Sequence, residues 1–276
     1  MNNQDFLTLA ESETGTLRIL QITDTHLFGD PAKDLLGVNT RDSFLAVLAS
    51  IKSDNQLFDL VVVTGDISQD DSPASYQAFA EEIAVFGKPV VWLPGNHDDG
   101  LIMPDLLGAE PLSSVDRVLT DHWQLLMLNS QVRGFTFGEL AQSQLEFVAQ
   151  ALSDNPNHFT LVFVHHNPVP MGCRWLDQHR MKNGEALLSL LAQADNARGV
   201  VWGHVHQDWQ QTRDHLHLIA TPSTCIQFKP RSEQFALDKR PPGYRYLMLA
   251  QDGSLATELK RLASDAFVPN LRAQGY

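Results

Sequence analysis

The stretch Val91-Trp92-Leu93-Pro94-Gly95-Asn96-His97-Asp98 decides the reading of this chain. A short apolar run meets a Pro-Gly turn and then presents a carboxamide, an imidazole and a carboxylate in succession, as a buried strand with polar chemistry on its C-terminal lip would. The pattern recurs on both sides. Ile19-Leu20-Gln21-Ile22 leads into Thr23-Asp24-Thr25-His26, and Leu60-Val61-Val62-Val63 into Thr64-Gly65-Asp66. Further on, Leu161-Val162-Phe163-Val164 meets His165-His166-Asn167-Pro168, and Val200-Val201-Trp202 meets Gly203-His204-Val205-His206. Asp or Asn after a strand is ordinarily a turn or cap residue, so no single instance carries weight. Five in order, each offering hard or borderline metal donors, point to one lip assembled from several strand ends.

The bulk composition fits that picture. A chain of 276 residues, 43% hydrophobic and 19% charged, has the make-up of an ordinary globular protein with a substantial core. Twenty basic against 33 acidic residues give a formal charge of −13, which argues against nucleic acid or an anionic membrane as the main partner. A phosphate substrate remains compatible, because bound divalent cations reverse the local field. Only Cys173 and Cys225 occur, so no disulfide framework is implied. Met1 to Gly15 carries Asp5, Glu11 and Glu13 without a basic n-region or a long apolar run, unlike a signal peptide, and no membrane span is found. A reduced, cytoplasmic protein is the expectation.

Taken in order, residues 17 to 22 read as a first strand, followed by a Gly- and Pro-containing loop from Phe28 to Val38. A helix begins near Asn39 or Thr40, with Phe44, Leu45, Leu48 and Ile51 on its apolar face. After the strand at 60 to 64, Ser72 and Pro73 open a second helix that buries Tyr76, Phe79, Ala80 and Ile83. The strand at 89 to 93 completes a strand, helix, strand alternation, the mark of crossover units in an α/β layered fold. Residues 99 to 120 read as irregular with room for a short helix. Then come a strand from Trp123 to Asn129, a helix from Glu139 to Leu152, a strand at 159 to 164, a long loop from Pro168 to Asn183, a helix near Gly184 to Ala194 and a strand at 199 to 202. The remainder reads as mostly β: His215 to Ala220, then Tyr244 to Ala250 joined to Leu255 to Arg261 by an Asp252-Gly253 hairpin turn. With no repeat or linker, a single domain over 1–276 is expected, with its core at about 17–262 and a surface tail at 263–276.

The donors, two Asp, one Asn and several His without Cys, suit first-row ions such as Fe, Mn, Co or Zn. One ion does not need so many ligands. Two ions sharing a carboxylate do, and Asp66, in the middle of the ordered set, is the natural bridge. Two cations about 3.5 to 4 Å apart clamp a phosphoryl group and lower the pKa of a bridging water to give hydroxide, so the reaction class is phosphoester hydrolysis. His97 is placed to bind phosphate or to protonate the leaving oxygen. Asp98 is read as orienting a histidine rather than acting on substrate. His215 and His217 read as surface positions, and His122 and His158 as loop residues. Neighbours on a strand end face opposite ways, so only one of His165 and His166 is expected to be a direct ligand, and the residues alone leave the choice open.

Asp24-x-His26, Gly65-Asp66, Gly95-Asn96-His97-Asp98, His165 and Gly203-His204-x-His206 together resemble the signature of the calcineurin-like metallophosphoesterase superfamily. Within it, Ile22 to Phe28, Leu36 to Thr40, Trp175 to His179 and Ala220 to Pro230 resemble the bacterial class III 3′,5′-cyclic AMP phosphodiesterases. The resemblance implies an α/β fold in four layers, a two-sheet β-sandwich flanked by helices, with an iron or manganese pair. One metal would take Asp24, His26, Asp66 and His206, and the other Asp66, Asn96, His165 and His204. The substrate, 3′,5′-cyclic AMP hydrolysed to 5′-AMP, would lie against His26, Asp66, Asn96, His97, His165 and His206, with Asp66 and His97 catalytic. Many relatives carry His-His-Pro-Pro where this chain has His165-His166-Asn167-Pro168, which makes His165 the least secure ligand. Arg174, Trp175 and His179 are candidates for nucleotide recognition, with Trp175 stacking on adenine, against a reading as loop packing. A broader-specificity phosphodiesterase acting on other cyclic nucleotides or glycerophosphodiesters is the alternative enzyme. A non-catalytic scaffold is the alternative class, although a scaffold can lose ligands and this chain keeps the whole set. The sequence leaves metal identity and the choice between monomer and homodimer open.

Overall fold

The structure, a computed structural model, describes residues 6–11, 15–263 and 265–275. Most of the Met1 to Gly15 segment, and Ser264 and Tyr276 of the tail, lie outside the described residues.

The apolar runs become strands of two mixed sheets. One sheet is six-stranded, in the order Leu255–Arg261, Gly243–Ala250, Thr16–Ile22, Leu60–Thr64, Val90–Leu93, Leu112–Ser113. The other is seven-stranded, in the order Phe6–Thr8, Arg117–Leu119, Trp123–Met127, Phe159–Val164, Ala197–Trp202, Leu216–Ala220, Trp209–Arg213. The central strands of each sheet run parallel, so their C-terminal ends emerge along one edge. That shared edge is what lets residues far apart in sequence meet.

Alternation explains why the runs are apolar throughout. Leu60 and Val62 point inward with Leu17, Ile19, Val91 and Leu93, against Leu125, Leu161, Phe163 and Val201 of the facing sheet. Val61 and Val63 point outward with Leu20 and Ile22 to the helices Thr40–Asp54 and Pro73–Ile83, through Phe44, Val47, Tyr76 and Phe79. On the other flank Val162, Val164, Val200 and Leu218 meet the helices Gln142–Asp154 and Gly184–Ala192. The layering is helix, sheet, sheet, helix, as expected. Among the described residues no helix is long and apolar enough to cross a membrane.

Local chemistry sets the element ends. Asn39 and Ser72 cap their helices by accepting from the amides of Asp42 and Ser75, and Pro73 sits in the first turn. The Asp252-Gly253 turn joins its two strands as expected, with Gly253 at φ 81°.

Some expectations are corrected. Leu45 is 44% exposed, and Val47 takes its place on the buried face. The helix expected from Glu139 begins at Gln142, because the Asn183 side chain occupies both the Leu140 N–H and its carbonyl. Residues 99 to 120 contain a short helix, Met103–Leu106, an edge strand, Leu112–Ser113, and a short strand, Arg117–Leu119, paired on both sides. Trp209–Arg213, to which the sequence reading assigns no element, is an edge strand paired with Leu216–Ala220. His215 lies in the exposed turn between that pair. In the tail, Phe267 packs against both outer cores, and the Asn270 amide donates to the Leu36 carbonyl at 2.7 Å.

A buried polar chain ties the outer strand of the first sheet to the strands beneath the shared edge. Arg245, fully buried, donates to Thr221 Oγ1 at 3.0 Å, Thr257 Oγ1 at 2.9 Å, the Ala220 carbonyl at 3.1 Å and Asp208 Oδ1 at 2.7 Å. Thr221 donates onward to Gln21 Oε1, and Gln21 Nε2 to Thr64 Oγ1 at 3.0 Å. Truncating a buried guanidinium strands its partners, so Arg245→Ala should destabilise the fold by about 3 kcal/mol. Urea unfolding followed by far-UV circular dichroism checks this, and an unchanged midpoint would contradict it.

Candidate metal centre

Each parallel strand ends where its sequence stops being apolar, and the chain then turns sharply. Asp24, His26, Asp66, His204 and His206 have φ of 54°, 47°, 51°, 64° and 46°. Left-handed backbone is costly outside glycine, and its concentration on one lip marks a site where positioning outweighs strain. Two glycines permit the close approach. A methyl group on Gly95 would run into the Asp66 carboxylate, and one on Gly203 into Thr23 Oγ1 and Asp24 Oδ2.

The carboxylates are held by backbone. Asp24 accepts from the His204 amide through both oxygens at 3.0 Å and from Thr23 Oγ1 at 2.7 Å. Asp66 Oδ1 accepts from the His97 amide at 2.8 Å, while Oδ2 faces His165 Nε2 at 3.2 Å and His26 Nε2 at 3.7 Å. Burial alone would raise Asp66, but the imidazoles of His165, His97 and His26 hold its carboxyl well below the usual range.

The imidazoles are oriented from behind. His26 Nδ1 bonds Gln69 Oε1 at 2.6 Å, His165 Nδ1 bonds the Thr64 carbonyl at 2.7 Å, and His206 Nδ1 bonds the Ile226 carbonyl at 2.9 Å. Since each acceptor is an oxygen, the proton sits on Nδ1 and the Nε2 lone pair points into the site. His26 Nε2 and His206 Nε2 then face each other at 3.1 Å, with Asp24 Oδ1 3.3 Å from His206 Nε2. Two imidazole lone pairs at that distance repel unless a cation lies between or beside them, so this donor set fits a metal ion. Burial, together with the His97 and His206 rings and against Asp66, lowers His26 to about 3, which keeps it available as a neutral ligand. His165 is pushed to about 9, burial lowering it but the Asp66 carboxylate raising it more, so a metal there competes with a proton.

The donors fall into two adjoining groups. Asp24, His26 and His206 form one, and His165, His166 and His204 the other, with ligand atoms within 4.8 Å of one another in each. Asp66 belongs to groups that join them, with His26 and His97 on one side and with Asp24 and His165 on the other. Asn96 Oδ1 lies 3.2 Å from His165 Nε2. His204 Nε2 is buried without a hydrogen-bond partner among the described residues, a second orphan that a metal would satisfy.

The lip also differs from the sequence reading. His165 and His166 do not face opposite ways. The strand ends at Val164, so its alternation no longer applies, and both rings turn towards His204, with centroids 5.0 and 4.6 Å away. His165 reaches Asp66 and Asn96, whereas His166 Nδ1 bonds Ser130 Oγ at 2.8 Å. Asp98 is held chiefly by backbone. It accepts from the amides of Gly95, Ser68 and Ile67 at 2.9, 3.0 and 3.2 Å, stitching two strand ends together. Burial and the neighbouring Asp66 raise its carboxyl to about 7.

Beside the donors opens a cavity of about 320 Å³ whose polar wall is Asn96, His97 and His204 and whose opposite wall is Trp175, Phe228, Phe235, Thr136 and His179. Trp175 packs edge-on to Phe228 and Phe235, with centroids 5.0 and 5.1 Å away, and Phe228 stacks on His206 at 4.2 Å. Arg174 does not join this wall. It points outward, paired with Glu233 at 3.4 Å with both side chains exposed. Sequence reasoning missed Gln69, Thr136 and Phe235. Gln69 alone left a trace, a carboxamide three residues after Asp66.

Two groups of candidate metal donors joined through one carboxylate, opening onto an aromatic cavity, suit an anionic substrate with a flat ring. The calcineurin-like phosphoesterase family profile matches residues 17–208. The chain is 46% identical over 274 residues to the 3′,5′-cyclic adenosine monophosphate phosphodiesterase CpdA of Escherichia coli, covering 99% of this chain and 100% of that one. It is 42% identical to the enzyme of the same name from Haemophilus influenzae, covering 96% and 97%. Among solved structures, a dimetal phosphatase from Danio rerio superposes with a TM-score of 0.60 at 15% identity, covering 89% of this chain and 98% of that one. A purple acid phosphatase from yellow lupin gives 0.64 at 12% identity, covering 93% and 53%. These two likenesses concern the fold.

Because Gln69 fixes the His26 ring without touching the other donors, Gln69→Leu should weaken metal retention by about 10- to 100-fold with the fold intact. Metal content after dialysis against graded chelator, with circular dichroism alongside, checks it. Retention equal to that of the unmodified protein would show that His26 needs no such support.

Proposed function

The chain belongs to the calcineurin-like phosphoesterases, a family that implies two divalent metal ions, and from that premise we propose that it hydrolyses 3′,5′-cyclic AMP to 5′-AMP. The observation that carries the substrate is the end-to-end similarity to the cyclic AMP phosphodiesterases of Escherichia coli and Haemophilus influenzae. The aromatic cavity beside the donors supports it. Lowering cyclic AMP would be the cellular consequence, and the cytoplasm is the compartment we assign, in keeping with two free buried cysteines.

We assign one metal to Asp24, His26, Asp66 and His206 and the other to Asp66, Asn96, His165 and His204, with iron or manganese favoured by the nitrogen and oxygen donors. When bound, the pair supplies Lewis acidity that neutralises phosphoryl charge and makes water acidic. The protein's own part is positioning. Asp66 is shared between the two groups. His97, on the cavity wall and edge-on to His26 at 4.9 Å, is assigned to the phosphoryl oxygens and to the proton that O3′ acquires as the P–O3′ bond breaks. Trp175 and Phe228 are assigned to the adenine, with His179 at the rim, its Nδ1 2.7 Å from Thr136 Oγ1.

Purified protein supplied with Mn²⁺ or Fe²⁺ should release 5′-AMP from cyclic AMP, and Asp66→Ala should abolish both the second metal equivalent and turnover. Cleavage of an aryl phosphodiester with cyclic AMP untouched would keep the family chemistry and discard the substrate. A panel of cyclic nucleotides and glycerophosphodiesters at equal metal content tests breadth. Trp175→Ala should raise KM for cyclic AMP about tenfold with kcat within twofold, as loss of one base-stacking contact requires. An unchanged KM would remove Trp175 from recognition.

A further inference from the structure

A second cleft of about 700 Å³ lies on the other side of the two-stranded ribbon Gln227–Phe228 and Leu237–Asp238. Four cations, Lys229, Arg231, Lys239 and Arg240, line it, on a chain whose formal charge is −13. Its two carboxylates are already engaged. Asp208 accepts from Arg245 at 2.7 Å, and Asp238 pairs with Arg240 at 3.3 Å. Lys229, Arg231 and Lys239 make no ion pair among the described residues. The mutual repulsion of these exposed cations would be relieved by a bound anion.

Three further observations point the same way. Gln207, which also lines the cleft and is 4% exposed, has a buried amide Nε2 with no oxygen or nitrogen partner among the described residues, its side chain resting instead against the Cys173 thiol. Arg231 adopts φ 57°, a strained conformation for a long side chain. Half-buried Trp209 supplies a flat ring beside the cations.

We propose that this cleft is a second binding site, separate from the metal centre, for an oligophosphate anion. Its occupancy would reach the catalytic cavity through the ribbon. Phe228, next to Lys229, stacks on His206, and Gln207 directly follows His206. The Lys229 amide donates to the Ala236 carbonyl at 2.8 Å, closing the loop that also carries Phe235 into the aromatic wall. An anion that fixes Lys229, Arg231 and Lys239 therefore fixes the ribbon and, through it, Phe228 and Phe235. This coupling rests on the cyclic AMP reading; the binding does not.

The test is equilibrium dialysis of the metal-loaded enzyme against labelled MgATP and magnesium pyrophosphate, with excess Mg²⁺ so that neither strips the metal centre. Arg231→Gln/Lys239→Gln, which touches neither donors nor aromatic wall, should weaken binding at least tenfold and leave basal cyclic AMP turnover within twofold. His97→Ala should bind as the unmodified enzyme does. Tighter binding of MgATP than of pyrophosphate would identify a nucleotide stacked on Trp209, and equal binding an inorganic oligophosphate. No binding, binding unaltered in the double variant, or binding displaced by AMP would overturn the site. The ligand should also shift the apparent KM for cyclic AMP at least twofold in the unmodified enzyme and not in the double variant. Binding without that shift would overturn the coupling, and absence of cyclic AMP hydrolysis would overturn the earlier reading while leaving the dialysis result standing.

Discussion

The structure depends on a contact that is unfavourable in isolation: the two ring nitrogens of His26 and His206 facing each other at 3.1 Å, each with its proton committed to a carbonyl oxygen behind it. Around them Asp24 and Asp66 bring two more groups of one electrostatic character, all withdrawn from water. A polypeptide reaches such an arrangement only when the surrounding fold over-determines it. Here the two sheets do so. Their inner faces interlock through Leu60, Val62, Leu161, Phe163 and Val201, and the strands then run out together at one edge with the donors already aimed. The left-handed backbone at five donor positions is the visible cost of that aim. A cation is the species that turns the repulsion into attraction, so metal affinity and fold stability oppose and support one another at the same atoms.

How much of this was legible follows from where the signals lie. Val61-Val62-Val63 and Leu161-Val162-Phe163 announce strands because both faces of each are covered, which leaves no polar residue to blur the run. Their polar endings announce the lip for the same reason: nothing else follows a doubly buried strand so regularly. Trp209–Arg213 was missed because an exposed edge strand reading Trp-Gln-Gln-Thr-Arg has no apolar face, and only its partner Leu216–Ala220 makes it a strand. The part Asp98 plays in stitching two strand ends together was not legible, because the three backbone amides it accepts from are invisible in a sequence. His166 was set apart from His165 by an alternation that ends one residue too early, at Val164. Phe235, in an irregular loop, has no periodicity to report it.

The division between what strands supply and what loops supply is also a division of labour. Every donor lies within a few residues of a strand end, where position is rigid, and the residues that would choose the substrate, Trp175, His179, Phe228 and Phe235, lie on the 168 to 183 loop and around the 227 to 238 ribbon. Phosphoester chemistry tolerates little movement of the donors, and selection among diesters needs surfaces that can differ between relatives on one scaffold. The low identity to the dimetal phosphatase and the purple acid phosphatase, alongside a shared fold, is what that separation would produce.

The ribbon occupies an unusual place in this scheme, because it is attached to both parts. Through Phe228 it is stacked on His206, which is buried and bonded to the Ile226 carbonyl, and through Lys229 and Arg231 it reaches a cationic cleft lined by none of the metal-donor candidates. A two-by-two-residue ribbon has little stability of its own. What it packs against therefore decides its position, with the catalytic side fixed by stacking and the far side set by whatever balances the charge of Lys229, Arg231 and Lys239. A wall held firmly on one face and by compensable charge on the other can be tightened without moving a donor. That would allow recognition to be adjusted while the geometry for bond cleavage stays constant.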